Sequence, residues 1–250
     1  MIKRILASLV TAAFLFVSIP AQAQQQPQVL TVTQIDVKPE FSVVRDYVAL
    51  WFVVIPTTEK EKKEVGPGYD EKIIANGSVV IISPHFAITA AHLFGEDVPD
   101  GRKGVQRTDE REITYTLVKK DEKHDLALIT GDFRCPCAPI ASVNPSADQD
   151  AYAVGFPLFS WYGLQILTKG LVQGISMGML ATTTAMAPGG SGGGVFVKQN
   201  GQYVLAGVIS SIGTMPIGPG VLKIQQYMNW ITFSISAETM HEFLKGVKLN

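Results

Sequence analysis

The sequence predicts an all-β chain closed by one helix, on three observations. Short apolar runs rich in Val, Ile and Leu recur from Phe41 to Ile235, and glycine, proline and polar residues separate them at close intervals. That spacing suits an antiparallel meander rather than strands alternating with helices. Only near the C-terminus, at Met240, Phe243, Leu244 and Val247, do apolar residues fall at helical spacing.

Taken in order, residues Gln24 to Val37 form a polar lead, and Phe41 to Ile55 holds β-prone residues that open the first group of strands. Thr57 to Tyr69 clusters lysines and glutamates ahead of Gly66-Pro67-Gly68 and reads as a solvated loop. Strands are expected at Ile74 to Ile82, Ala87 to Ala90, Ile113 to Val118 and Leu126 to Ile129. A connection rich in proline and polar residues, Cys135 to Asp150, separates these from a second group. That group takes Ala151 to Gly155, Gly163 to Ser176, Leu180 to Thr184, Gly194 to Lys198, Tyr203 to Ser210 and Trp230 to Ile235. Ala237 to Val247 is the terminal helix, and no internal repeat is evident.

The run Ala187-Pro188-Gly189-Gly190-Ser191-Gly192-Gly193-Gly194 sets one serine between glycines, directly ahead of the apolar Val195-Phe196-Val197. Composition alone fits a flexible linker. Glycine also allows a substrate carbonyl to approach main-chain NH groups, as an oxyanion hole of amides requires. Two other segments favour the second reading. Gly77 to His92 is two β-rich runs joined by Ser83-Pro84, with His92 directly after the second. In His124-Asp125-Leu126-Ala127-Leu128-Ile129 a carboxylate opens a short apolar strand, where partial burial demands a hydrogen-bond partner. A serine nucleophile needs a base for its proton and an acid that fixes the base's tautomer, so Ser191, His92 and Asp125 are the candidates.

Thr89-Ala90-Ala91-His92, Asp125-Leu126-Ala127-Leu128 and Gly189-Gly190-Ser191-Gly192-Gly193, in that order, resemble the three signature segments of trypsin-like serine peptidases. The bacterial HtrA-like branch is the nearest in pattern. Ile82-Ser83-Pro84, Tyr152-Ala153-Val154-Gly155-Phe156-Pro157 and Ala206-Gly207-Val208-Ile209-Ser210 extend the likeness over about Asn76 to Ser211. The resemblance implies two six-stranded antiparallel β-barrels, the first over about 41–134 and the second over about 150–236, within a peptidase domain of 24–250. It also implies an oxyanion hole from the backbone at Gly189, Gly190 and Ser191. Ala185 and Met186 fall at the base and wall of the specificity pocket, and Ser210, Ser211 and Ile212 on the strand that pairs with substrate. None of these five is charged, so a small or medium aliphatic residue is expected before the cut, and not Lys or Arg. No PDZ-type recognition domain is expected after the helix.

Two positions depart from the family's pattern. Gly190 stands where animal enzymes carry an aspartate that pairs with a newly cut N-terminus and many HtrA-like proteins an asparagine, so activation through that ion pair is not expected. Gly194 stands where many relatives have proline, which predicts a looser loop after the serine. Three functions stay open: an endopeptidase, a binding protein that kept the fold without catalysis, and an esterase or amidase using the same triad.

Lys3 and Arg4 precede an apolar run, Ile5 to Ile19, and then Pro20-Ala21-Gln22-Ala23-Gln24. This is the pattern of a signal peptide (1–23) cut after Ala23, so an exported protein, periplasmic or secreted, is expected. The run is shorter than the roughly 20 residues of a spanning helix, which leaves an uncleaved anchor as the alternative, and no later stretch could span, so no stable membrane span is expected after cleavage. With 250 residues, a net charge of -1 and a pI near 6.4, the chain offers no basic footprint for nucleic acid. Its partner is a protein or peptide substrate; its oligomeric state is not legible. No metal and no cofactor are expected, since neither His-Glu-x-x-His nor a zinc-type cysteine pattern occurs. His124 should point away from its neighbour Asp125 toward solvent, His85 lies in a surface turn, and His241 falls in the closing helix. Cys135 and Cys137, one residue apart, are equally readable as two thiols or a local disulfide.

Overall fold

The computed structural model describes residues 39–59, 71–95, 102–105, 111–157, 164–217 and 224–249. The signal-peptide segment and nearly all of the charged 57–69 loop lie outside these residues. A helix, α1 (Pro39–Asp46), leads into strands β1 (Val48–Pro56), β2 (Glu71–Ile81), β3 (Phe86–Thr89), β4 (Arg102–Val105), β5 (Glu112–Asp121) and β6 (Leu126–Thr130). Six more follow: β7 (Asp150–Gly155), β8 (Ile166–Ser176), β9 (Met179–Thr182), β10 (Gly194–Gln199), β11 (Gln202–Ile217) and β12 (Ile224–Ser236). Helix α2 (Ala237–Leu244) ends the fold.

Each set of six closes into an antiparallel barrel. The order around the first is β1-β2-β3-β6-β5-β4, and β4 returns to β1. Around the second it is β7-β8-β9-β12-β11-β10, with β10 paired to β7. The two barrels thus repeat one topology, although no repeat shows in the sequence.

Strand β1 explains why its sequence, Val-Ala-Leu-Trp-Phe-Val, is apolar at every position rather than at alternate ones. Successive side chains leave a strand on opposite faces. Ala49, Trp51 and Val53 enter a cluster confined to the first barrel, while Val48, Leu50 and Phe52 join one that runs on into the second. All six are essentially inaccessible to solvent. Ala127 and Ile129 of β6 sort with the first set and Leu126 and Leu128 with the second. Burying one such large side chain contributes roughly 1.5–3 kcal/mol.

Three expectations are corrected. The segment 41–46 is helical, not extended: Phe41 stacks on Tyr152 at 5.4 Å between ring centroids and Val44 is buried, so packing on the second barrel overrides the β propensity of Val43-Val44. Gln165, itself buried, anchors the end of that helix by donating to the carbonyls of Arg45 and Val48, at 2.8 and 3.0 Å. Strand β4, Arg102-Lys103-Gly104-Val105, has no apolar run to announce it; pairing with β1 and β5 makes it a strand. Gly194 does not loosen the post-serine loop, because it is the buried first residue of β10, paired to Val208 and Val154.

The remaining expected strands appear with ends shifted by a few residues, β11 and β12 being considerably longer than expected. Cys135 and Cys137 are joined by a disulfide, which settles that open reading. Helix α2 is capped by Ser236, whose hydroxyl accepts from Thr239 N, and buries Ala237, Met240, Phe243 and Leu244. Its other end is held by Lys119 Nζ, which donates to Phe243 O and lies 4.8 Å from the Phe243 ring centroid.

Candidate active site

The end of β3 turns directly into a single 3-10 turn, Ala91–Leu93, which puts His92 at the edge of the first barrel. Asp125 stands just before β6, with φ 54°, in the left-handed region that aspartate tolerates better than most residues. From that conformation it accepts from the 3-10 turn with both its main chain and its side chain. Ala91 N donates to Asp125 O at 3.1 Å, and His92 N to Asp125 Oδ1 at 2.8 Å. The ring adds a third bond: His92 Nδ1 lies 2.9 Å from Asp125 Oδ2 and 3.0 Å from Oδ1. With an ionised carboxylate on one side, Nδ1 carries the proton and Nε2 is left as the basic nitrogen.

Ser210 of β11 supplies a further donor. Its Oγ reaches Asp125 Oδ2 at 2.5 Å, across the gap between the barrels. Burial alone would raise the Asp125 pKa, but the hydrogen bonds from His92 and Ser210 and the histidine's charge outweigh it and hold the carboxyl below the usual aspartate value. Ser210, expected as part of the substrate strand, therefore also grips the carboxylate from the second barrel.

Ser191 lies at the same seam. Its carbonyl accepts from Ser78 N of β2 at 2.8 Å, and the next residue, Gly192, donates to Ile209 O at 2.7 Å, beside Ser210. The nucleophile candidate is thus tied by its backbone to the strand next to β3 and to the residue before the carboxylate's partner. Its Oγ makes no hydrogen bond to any described residue, as is common before a substrate orders the hydroxyl. Ser78 escaped sequence reasoning. Fully buried, its hydroxyl also accepts Phe156 N at 2.9 Å, so one residue joins both barrels at the site. A polar residue opening the otherwise apolar run Val79-Val80-Ile81 was the available signal.

The turn ahead of Ser191 follows from its residues. Gly190 N donates to Ala187 O at 3.0 Å, closing a four-residue turn with Pro188 and Gly189 in the middle. Proline fixes its own φ near −65°, which excludes the turn types that need a positive φ at that position, and Gly189 has φ 92°. The result is a type II turn. Gly190, expected among the oxyanion donors, spends its amide on closing this turn, whereas the amides of Gly189 and Ser191 bond to no described residue.

Of the expected pocket residues, Ala185 and Ser211 are exposed, and the side chain of Ile212 lies outside the described set. Met186 is 3% exposed, packed beneath the turn rather than standing as an open wall. A cavity of about 210 Å³ adjoins the histidine–aspartate pair, lined by Ala91, His92, Lys120, Glu122 and Asp125. A larger one, about 500 Å³, is lined by other residues, among them Asp121, His124 and Glu238. His124, expected as a merely solvated side chain, is paired: Nδ1 lies 2.6 Å from Asp121 Oδ2. That bond is the main reason the Asp121 carboxyl titrates below its ordinary value. His85 is exposed, and His241 Nε2 donates to Ala141 O at 2.9 Å. Among the described residues no group of three or more His, Cys, Asp or Glu side chains is arranged to hold a metal ion. Nor is any helix among them long and apolar enough to cross a membrane.

Two closed six-stranded barrels, with a histidine–aspartate pair on one and, on the other, a serine turn bonded to β2 of the first, define the chymotrypsin-like class of two-barrel folds. The trypsin-like peptidase domain matches residues 77–206, just over half of the 250, and the chain belongs to that family. It carries the fold of a serine protease. Among curated proteins, none matches the sequence.

Proposed function

We propose that the protein is an exported serine endopeptidase, of the HtrA-like kind, that cuts peptide bonds through Ser191, His92 and Asp125. The observation that carries this reading is the grip of Asp125 on His92, which fixes the proton on Nδ1 and leaves Nε2 as the base. Ser191 Oγ attacks the scissile carbonyl carbon while its proton passes to His92 Nε2. The carbonyl π pair moves to oxygen, and the amides of Gly189 and Ser191 receive that oxyanion. Its collapse breaks the C–N bond, and His92 returns the proton to the leaving amine. Water then repeats the sequence on the acyl-enzyme, releasing the acid and restoring the serine.

Export is supported by the basic start and apolar run ahead of Ala21-Gln22-Ala23. A fluorophosphonate probe tests the nucleophile: it should label Ser191 in the wild-type protein and not in His92→Ala. No labelling of the wild-type protein would overturn the catalytic reading in favour of a binding role.

A preference for small or medium aliphatic residues before the cut is supported by the uncharged set Ala185, Met186, Ser210, Ser211 and Ile212. An arginine there would find no acidic partner among these residues. Fluorogenic peptides ending in Ala or Val should therefore be cleaved at least about 100-fold better than their Arg counterparts. Efficient cleavage after Arg would refute the preference.

Ser210→Ala isolates the second barrel's hold on the carboxylate. Loss of one hydrogen bond to a charged group, about 1.5–3 kcal/mol, should raise the Asp125 pKa and lower kcat/KM by roughly tenfold or more. An unchanged kcat/KM would show the Ser210 contact to be inert.

A further inference from the structure

Gly190 is the last residue of the type II turn and the first before Ser191, and the space under it is already taken. A Cβ built on Gly190 would lie 2.4 Å from Met186 Cγ and 2.7 Å from its Sδ, with Ala187 O at 3.2 Å. Met186 immediately precedes the turn, so its side chain folds beneath the four residues it introduces and touches the one that closes them. It is 3% exposed and belongs to the cluster that fills the second barrel. One end of the turn is thereby anchored in the core through its neighbour's side chain, and the other rests on that same side chain.

We propose that Met186 is the positioning residue of the oxyanion turn, an apolar strut fitted to a position 190 that has no side chain. The inference rests on the serine endopeptidase reading above. The physical reason is that, among the described residues, no polar side chain holds the underside of Gly190. Its amide goes to Ala187 O and its carbonyl to Gly193 N at 3.0 Å, both within the loop itself. Main-chain bonds hold the residues after the turn and Gly155 lies beside Gly190, but the thioether is the side chain that fills the space beneath it and limits how far it can sink toward the barrel. If it sinks or rotates, the free amides of Gly189 and Ser191 leave the place where the oxyanion forms. Methionine suits the task because its unbranched, polarizable side chain fills irregular gaps. Among the described residues no acidic side chain enters this arrangement.

A double-mutant cycle on the full protein tests this, with kcat, KM, fluorophosphonate labelling rate and Tm read for each member. Gly190→Ala drives a methyl into Met186 and should lower kcat at least tenfold with KM within about threefold. Met186→Ala empties the space under the turn and should lower kcat in the same way. Met186→Ala/Gly190→Ala places the new methyl in the vacated volume; it should recover at least fivefold in kcat over Gly190→Ala and melt higher than that variant. Met186→Leu, of similar volume, should stay within about threefold of wild type.

A Gly190→Ala protein with wild-type kcat would overturn the proposal. So would a double variant no better in kcat than Gly190→Ala. Should Gly190→Ala fail to fold, the comparison of Met186→Ala with Met186→Leu decides: equal kcat in the two overturns it. A wild-type protein that neither labels nor hydrolyses peptides would instead bring down the endopeptidase reading, and the Tm cycle would still report whether the two residues touch.

Discussion

Ser191→Ala is expected to abolish peptide hydrolysis while leaving the fold intact. Removing a nucleophilic serine takes away the covalent route, and the loss in kcat should be at least roughly ten-thousand-fold, with residual turnover from the amides of Gly189 and Ser191 and from substrate binding. The structural cost is small. Ser191 is half-buried and its hydroxyl bonds to no described residue, while the interactions that fix the loop, Ser191 O to Ser78 N and Gly192 N to Ile209 O, belong to the main chain. The melting temperature should therefore stay within about 2 °C of wild type. Steady-state kinetics and calorimetry on the same preparation separate the two. A variant that retained more than about a hundredth of the wild-type kcat would exclude Ser191 as the nucleophile.

Asp125→Asn carries the second large effect, through the histidine rather than the substrate. The carboxylate accepts from His92 N, His92 Nδ1 and Ser210 Oγ. An asparagine keeps one acceptor oxygen and turns an NH2 group toward at least one of these partners. If that NH2 faces Nδ1, the ring must accept there and carry its proton on Nε2, toward Ser191, where it cannot act as a base. A fall in kcat of roughly ten-thousand-fold, the scale such a tautomer error has in a triad, should come with little change in KM. A kcat within tenfold of wild type would remove Asp125 from the mechanism.

The same substitution has a pH signature. Because the Asp125 carboxyl titrates below its ordinary value in the folded state, its contribution to stability is fully present above the unfolded value near pH 3.9 and is lost as the pH falls through the lower folded value. The wild type should lose stability on acidification below about pH 4 more steeply than Asp125→Asn, measured by urea midpoints at successive pH values. Asp121, held low by His124, should leave part of the slope in both proteins.

Much of the fold was readable because apolar runs mark strands whether or not they lie at a site. The helix over 41–46 was not, since Val43-Val44 favours a strand locally and only contacts with Tyr152 and Gln165 in the second barrel decide otherwise. Strand β4 was missed because the ladder, not its own residues, specifies it. At the site, residues with chemistry of their own, His92, Asp125 and Ser191, stood out. Ser78 did not, and Ser210 and Met186 were legible only as substrate-strand and pocket residues, because what each does here depends on a contact the sequence does not display: Phe156 N, Asp125 Oδ2 and the bare Cα of Gly190. The repeated strand order stayed invisible for a related reason, as a barrel constrains the alternation of faces and not the identity of residues.

Strand β1, with one face in each hydrophobic cluster, bears on how the chain comes apart. Loosening either barrel strips one side of Trp51 or of its neighbours Leu50 and Phe52 and withdraws packing from the other barrel at once. Neither half can melt while the other keeps its full stability, so the seam that carries the histidine, aspartate and serine is lost in the same event as the cores. A partly unfolded chain with an intact seam is therefore not a state this protein offers, and damage in β1 weakens both barrels and the seam together.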